Sequence, residues 1–581
     1  MTEPVSPLAA GFDPFTGAYH RDPAGALALA RRQEPVFYSP RIDSWVVTRY
    51  ADIRRVFGDP AGFSAGNVLD PLVRPGRAAL RALARHGFAG GPVLANEDGP
   101  GHRSRRRRLL RPLSRPQVAG WEPRVRQLVR QQLDRFVHAG PGDLVAGLLW
   151  EVPARVVFEF LGVPDDQLPE AMEFAVDLSR FTWGRPDQAE QVRGAELLGR
   201  YWRFTGRLLE RHRRERRATG WLGYALRAQR RSPDLFDDRY LRALVMNGST
   251  AGHEPVANAA ANAVRTLLEH PPAWRALAAD PALIPGTVTE CLRFRSPVVA
   301  WRRRAVRATE LAGVPIPAGA TLLLVTASGN HDPAAFADPD RFDPGRPDAG
   351  RHLSFGYGNH RCLGAPLALL QLRVILEELV ARLPALRLAG GQRFDHPPNT
   401  SFFGPDQLRV WWDRPAGRRA APVAGRYHAG MGDKPVAYLG ATPYLYYEDA
   451  SMALDWLARV FGFEELARYV DPDGMVMEAE MRAGGTVVQL CGYTGYFAER
   501  GGTGPVGQEN ILHVDDVDAH WARATAAGGQ AEPPEDKPYG VRAYGITDPG
   551  GHRWNFWQRL TDRVDLPEGW REIRPGSPGS G

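Results

Sequence analysis

"HLSFGYGNHRCLGAPLALLQLR" spans His352–Arg373 and holds one of only three cysteines in 581 residues. Gly356 and Gly358 stand two apart, which allows a tight bulged turn. Cys362 follows that turn and reads as the start of the apolar helix "LGAPLALLQLRVILEELVARL". A helix N-terminus favours negative charge and lowers a thiol's pKa. Gly364 leaves room for a flat group against the helix. A thiolate held this way suits a single bond to a haem iron. A cysteine by itself would read as a buried core residue. The ten-residue pattern Phe355-x-x-Gly358-x-x-x-Cys362-x-Gly364, with His360 two before the cysteine, does not.

The length predicts two or three domains. Hydrophobic residues make up 43% and charged residues 24%, which suits a soluble globular protein. The net charge of +7 is mild, so nucleic-acid binding is not implied. Cys291, Cys362 and Cys491 are too dispersed for a disulfide framework, so a reducing cytoplasm is expected. No apolar run reaches membrane-spanning length. The start "MTEPVSPLAAGFDPF" has no basic stretch before an apolar one, so no signal peptide is expected.

Residues 1–413 alternate helical patterns with short strands such as "WVVTRY" (Trp45–Tyr50) and "ATLLLVTAS" (Ala320–Ser328). Residues 414–435, rich in Pro, Gly, Ala and Arg, read as a linker. Residues 436–560 turn to strands and contain a weak repeat. "YYEDASMALDWLARVFGFEE" and "HVDDVDAHWARATAAGGQAE" follow the same order of strand, acidic turn, helix and Gly. Two βαβββ units in tandem would close into one cup. Residues 561–581 read as a tail, disordered in part.

The first region resembles the soluble bacterial cytochrome P450 family over roughly residues 12–412. Besides the cysteine pattern, Glu290-Cys291-Leu292-Arg293 matches the family's ExxR, and "DPDRFDP" (Asp338–Pro344) matches its meander segment. The resemblance implies a mainly α fold with small β-sheets and a haem b cofactor, with Cys362 as the metal ligand. Phe355, Gly356 and Gly364 would flank that ligand. Arg341 would complete a salt-bridged trio with Glu290 and Arg293. His102 and Arg106, four apart, match the family's HxxxR and would bind the haem propionates with Arg303 and His360. Arg302 and Arg304 are alternatives to Arg303. The remaining arginines of that run (Arg105, Arg107, Arg108 and Arg111) are expected to face solvent. They offer a dock for an acidic ferredoxin.

"DDRYLRALVMNGSTAGHEPVANAAANAVRTLLEH" (Asp237–His270) reads as one long helix with a flaw at Ala251–Val256. The family's pattern there is Ala/Gly-Gly-x-acid-Thr, whose acid and alcohol relay protons during oxygen activation. Gly252 and Glu254 match, but Pro255 replaces the alcohol. Proline lacks an N–H for the carbonyl of Ala251 and is expected to kink the helix. Two readings follow. Either a substrate hydroxyl or a water replaces the alcohol, or the enzyme performs coupling, cyclisation or dehydrogenation. A haem scaffold without oxidase activity is a third, supported only by Pro255.

Residues 436–560 resemble the vicinal-oxygen-chelate superfamily of glyoxalase and bleomycin-resistance proteins. This implies an α+β domain of paired βαβββ modules. The family's metal positions correspond to Thr442 or Pro443, Gln489, Glu509 and Asn555. Two plausible ligands are too few for a strong divalent site. The parity of His513 and His552 along their strands argues against both. A metal-free binding cup is therefore expected, with Trp554, Trp557, Tyr444 and Tyr446 as candidate lining. It would hold substrate or product, sequester a toxic metabolite as a resistance protein does, or support a homodimer. No flavin or iron–sulfur motif is present, so electrons are expected from an external ferredoxin and its NAD(P)H-dependent reductase. The segments around Phe88–Asn96, Phe181–Trp183, Val298–Trp301 and Thr400–Phe403 are expected to shape the pocket. They suit a small-to-medium hydrophobic secondary metabolite.

Overall fold

The structure is a computed structural model. It describes residues 6–175, 179–215, 219–412, 438–447, 450–461, 464–471, 473–483, 486–492, 508–526, 531–537, 540–547, 553–561 and 571–573. The linker expected at 414–435 lies outside them. The chain divides into two compact units near residue 418.

The first unit is mainly helical. Eight of its helices carry the argument: α1 (Gly99–Leu109), α2 (Glu122–Ala139), α3 (Glu151–Leu161), α4 (Gln188–Arg214), α5 (Gly220–Arg231), α6 (Asp238–Glu269), α7 (Ile284–Phe294) and α8 (Ala365–Arg382). The Asp237 side chain starts α6 by accepting the Tyr240 N–H at 2.6 Å. The run Ala257–Val264 of small, mostly apolar residues is buried among neighbouring helices, and α6 forms the spine of the unit. Glycines let α6 approach α3 closely, since a Cβ on Gly252 would meet Val157 Cγ2 at 2.5 Å.

A five-stranded sheet stands beside the helices in the order β1-β2-β5-β4-β3. Its strands are β1 (Val36–Ser39), β2 (Ser44–Val47), β3 (Phe63–Ser64), β4 (Trp301–Ala305) and β5 (Thr321–Leu324). Both expected strands are shorter than their apolar runs. The Tyr50 N–H donates to Asp332 Oδ2 at 2.9 Å and opens a helix where "WVVTRY" was to end. Thr326–Asn330 is likewise helical.

The second unit holds one nine-stranded sheet. Its first module is β6 (Tyr438–Tyr447), α9 (Ala450–Phe461), β7 (Glu464–Val470), β8 (Val476–Ala483) and β9 (Thr486–Gly492). Its second is β10 (Gln508–Val514), α10 (Val517–Ala526), β11 (Glu535–Lys537), β12 (Val541–Thr547) and β13 (Arg553–Arg559). The order β11-β12-β13-β10-β6-β9-β8-β7-β14 places the first strand of each module parallel to its last. The modules meet where β6 and β10 pair antiparallel. This is the paired βαβββ architecture the repeat predicts. The last strand, β14 (Arg571–Ile573), comes from the expected tail and pairs with β7, covering an otherwise open edge.

Candidate functional site

An internal cavity lies between α6 and the loop that carries Cys362. The loop is built as its glycines require. Gly356 and Gly358 have φ of 66° and 70°, and a Cβ on Gly358 would meet the Phe57 carbonyl at 2.6 Å. The Cys362 N–H donates to the Phe355 carbonyl at 2.8 Å, closing the turn. Cys362 precedes the helix rather than starting it, since Gly364 caps α8 and the helix begins at Ala365. Protein surrounds Cys362 on all sides, yet its surface is accessible because it lines the cavity.

The expected depression of its thiol pKa is reversed. Burial pushes the Cys362 thiol up; backbone N–H groups of Gly364 and Ala365 and the cations Arg106 and Arg361 oppose this without overcoming it. A thiol in direct contact with a metal cation is nonetheless deprotonated outright. Gly364 lies beside the sulfur and lines the same cavity, where a Cβ would stand in ordinary contact with Sγ at 4.0 Å. Phe355 and Gly356 line the same cavity.

The four expected propionate partners gather at one end. Arg106, Arg303 and His360 line the cavity, and His102 stacks on His360 with centroids 4.2 Å apart. Arg303 is 2% exposed and lies over the Phe57 ring. Its one hydrogen bond among the described residues goes to the Arg302 carbonyl, and no carboxylate pairs with it there. Burial lowers its pKa to about 10. His102 Nε2 and His360 Nδ1 are buried without partners. A buried arginine and two unsatisfied imidazole nitrogens fit the carboxylates of a haem edge. Arg302 instead anchors on the carbonyls of Val68 and Asp70, and Arg304 pairs with Asp70 on the surface. Sequence reasoning missed Asp98, whose Oδ1 lies 3.6 Å from His360 Nε2.

Two other expectations are corrected. Arg341 does not join Glu290 and Arg293. It is exposed and pairs with Asp343, while Arg346 Nε reaches Glu290 Oε1 at 3.2 Å. The Arg341 backbone carbonyl accepts from Arg293 and Arg346, so its side chain turns outward. Arg105 does not face solvent. It pairs with the buried Glu97 at 3.1 Å and lies over Tyr240. Arg107, Arg108 and Arg111 are exposed.

α6 forms the facing wall. Ala251, Gly252 and Pro255 line the cavity, and the helix continues through Pro255 over 32 residues. Glu254 does not share that wall. It is 2% exposed and lines a separate cavity with Trp150, Glu151, Asn258 and Asp406. Neighbouring His253 is buried, with Nε2 bonded to the Trp150 carbonyl at 3.0 Å. Burial holds its pKa at about 4. Between pH 6.5 and 4 the unfolded chain therefore binds a proton that the folded chain refuses, and stability falls as pH falls through that window. The group accounts for about 3 kcal/mol across it. His253→Met should flatten that part of a urea-midpoint-versus-pH curve. An unchanged slope would rule this out.

Of the four segments expected to shape the pocket, three supply lining residues: Leu94 and Ala95, Val298 and Trp301, and Phe402. Trp183 supports them from behind, with ring centroids 4.9 Å from Phe402 and 5.6 Å from Trp301. Trp221 and Phe160 are further lining residues that the sequence did not announce.

In the second unit, β6 pairs Tyr444 with Gln489 on one side and Glu509 on the other, and Ile511 pairs with Thr442 and Asn555. The side chains of Thr442, Pro443, Tyr444, Tyr446, Glu509 and Trp554, and the whole of His552, lie outside the described residues. Gln489 Nε2 donates to Glu480 Oε1 at 3.4 Å. The expected parity of His513 is wrong, because it alternates in step with Ile511 and its ring lies 6.1 Å from Trp557. Among the described residues, no group of three or more His, Cys, Asp or Glu side chains could hold a metal ion. None of their helices is long and apolar enough to cross a membrane.

Comparisons with known proteins agree with this division. Residues 281–392 match the family model for cytochrome P450, and residues 437–556 match that of the glyoxalase/bleomycin resistance protein/dioxygenase superfamily. The chain is 35% identical to cytochrome P450 105A3 of Streptomyces carbophilus over 373 residues, which is 64% of this chain and 87% of the relative. It is 36% identical to erythromycin C-12 hydroxylase of Saccharopolyspora erythraea over 368 residues, 62% of this chain and 87% of the relative. The P450 heme domain of Tepidiphilus thermophilus superposes with a TM-score of 0.69 at 46% identity, covering 70% of this chain and 97% of that one. The chain belongs to the cytochrome P450 family of haem-thiolate monooxygenases and carries a glyoxalase-type unit at its C-terminal end.

Proposed function

We propose that the protein oxidises a small-to-medium hydrophobic secondary metabolite with dioxygen and electrons from an external ferredoxin and its NAD(P)H-dependent reductase, in the cytoplasm. The observation that carries this is the cavity itself, with Cys362 on one side, α6 on the other and, at one end, a basic cluster whose Arg303 pairs with no carboxylate among the described residues. Cys362 would hold the iron, and His102, Arg106, Arg303 and His360 the propionates. Bound there, haem supplies the activation of dioxygen. Trp301, Phe402 and Leu244 offer an apolar surface that orients substrate and excludes water. The relative named erythromycin C-12 hydroxylase supports the reaction class. The exposed Arg107, Arg108 and Arg111 suit an acidic electron carrier.

Pro255 gives the reading its particular form. The Ala251 carbonyl has no N–H to accept four residues on, so it is available to a water molecule. Gly252 keeps that stretch packed on α3. Glu254 would hold a proton at its carboxyl in the adjoining cavity. The same proline favours a second reading, in which coupling, cyclisation or dehydrogenation replaces hydroxylation. The C-terminal unit is read as a metal-free ligand cup, since Asn555 brings a neutral amide to the last-strand position where the resemblance implies a carboxylate ligand. A homodimer through this unit is compatible with that role.

One assay tests the reading. Full-length protein, a surrogate ferredoxin, its reductase and the metabolite giving the largest haem spectral shift are followed for NAD(P)H, peroxide and product. Substrate-dependent NAD(P)H consumption with an oxidised product is expected, and its absence rejects the oxidase. Relays of this kind contribute about 10²–10⁴-fold, so Pro255→Thr should lower peroxide per product by roughly tenfold or more. Unchanged peroxide and products would show that no relay is missing.

A further inference from the structure

We propose that Asn247 sets substrate specificity by hydrogen-bonding a polar group at the far end of an otherwise apolar substrate. This rests on the haem-site reading above. Eight residues of α6 line the cavity, from Leu244 to Ala259, and Asn247 is the only one with a polar side chain. No hydrogen bond to its amide occurs among the described residues. Thr326, in contrast, is satisfied by the Val298 carbonyl at 2.9 Å. Ser354 Oγ donates to the Leu292 carbonyl at 2.6 Å. The arginines and His360 belong to the basic cluster; Gln371 also lines the cavity, with its buried Oε1 unpartnered, but it stands on α8, the helix that continues the cysteine loop.

Asn247, Ala251 and Pro255 are spaced by four, so they form one stripe along the helix. At 1.5 Å per residue, Asn247 stands about 6 Å from Ala251 and about 12 Å from Pro255 along the axis. A family alcohol at 255 would have put a hydroxyl at the reactive end of the stripe. Here that end is aliphatic, and the one hydrogen-bonding side chain that α6 lends to the cavity is two turns away. The substrate class this fits has an apolar body against Trp301 and Phe402. It has one hydroxyl or carbonyl roughly two helical turns, about 11 Å, from the carbon that is oxidised. An amide both donates and accepts, so either group is served. A substrate lacking it leaves the amide unpaired in a desolvated wall, which is where polar recognition discriminates most strongly.

The test is a molecular ruler on the full-length, haem-loaded protein. The probes are 1-(ω-hydroxyalkyl)imidazoles of increasing arm length and the matched alkylimidazoles ending in methyl. Each is titrated by its Soret shift, so the ring is anchored at iron and the arm explores the cavity. The wild type should prefer hydroxyl over methyl by roughly three- to tenfold at one intermediate arm length and not at the shorter ones. Asn247→Leu should erase that preference while its affinity for 1-methylimidazole stays at the wild-type value; Asn247→Ala serves as the second variant should the leucine not fold. A preference that survives both substitutions, or none at any length in the wild type, overturns the assignment. If 1-methylimidazole itself gives no shift, the haem-site reading fails first and Asn247 falls with it.

Discussion

Cys362→Ser should leave a folded, haem-binding protein whose reduced carbon-monoxide complex has lost the far-red-shifted Soret band. Monooxygenation should fall to background. The substitution exchanges sulfur for oxygen with little change in volume, so stability should move by no more than about 1 kcal/mol. The basic cluster at the other end of the cavity is untouched, so the proposed propionate partners Arg106, Arg303 and the two imidazoles remain in place. What is lost is the soft, electron-donating sulfur that would hold the iron and support its activation of dioxygen. Cys291→Ser and Cys491→Ser are the controls. Cys291 is packed in the core, where burial pushes its thiol up, and Cys491 lies in the other unit. Neither should alter the spectrum. A red-shifted band that persists in Cys362→Ser would falsify the assignment of the ligand and every role built on it.

Much of this site is written in local sequence because its parts lie close together in the chain. Gly356, Gly358, Cys362 and Gly364 lie within nine residues, and the positive φ of Gly356 and Gly358 demands glycine, so the pattern could be read without the fold. The four-residue spacing of His102 and Arg106 works the same way. Parts that depend on side-chain direction could not be read. Arg341 lies within the meander segment and Arg346 just after it, and only the turn of the backbone carbonyls decides which one reaches Glu290. Arg105 sits among solvent-facing arginines and is drawn inward by Glu97, a partner no periodicity reveals. Glu254 and Pro255 are adjacent in sequence, yet about 100° of helical rotation per residue sends them to different cavities. Asn247 has no motif at all. It becomes visible only when the cavity shows which stripe of α6 is exposed to a ligand. In the second unit the repeat gave away the module order, because strand, turn and helix recur in sequence. The parity of His513 was misread, since a shift of one residue in strand assignment reverses a face.

Arg293→Met should destabilise the first unit by about 3–5 kcal/mol, with haem content falling in parallel. Both Arg293 and Glu290 are completely buried, joined at 2.7 and 2.8 Å. Arg293 also donates to the carbonyls of Asn330 and Pro339 at 2.8 Å each. It therefore ties α7 to the segment that leads into the cysteine loop. Removing it leaves the Glu290 carboxylate buried with only Arg346 and the Asp343 N–H. It also leaves two carbonyls without their donor. Such a loss is large beside a typical total stability of about 5–15 kcal/mol. Urea unfolding followed by the haem Soret band measures it. The correction to the trio gives the experiment a second arm. Arg346→Ala should cost several times more than Arg341→Ala, whose exposed side chain should be worth no more than about 0.5 kcal/mol. If Arg341→Ala proves the more damaging, the network has been assigned to the wrong arginine. The double variant Glu290→Leu/Arg293→Met should be less damaged than the two single effects summed, because no uncompensated charge remains. Strict additivity would mean that the pair does not act as a unit, and that the cysteine loop is held by its own turn rather than by the lock beneath it.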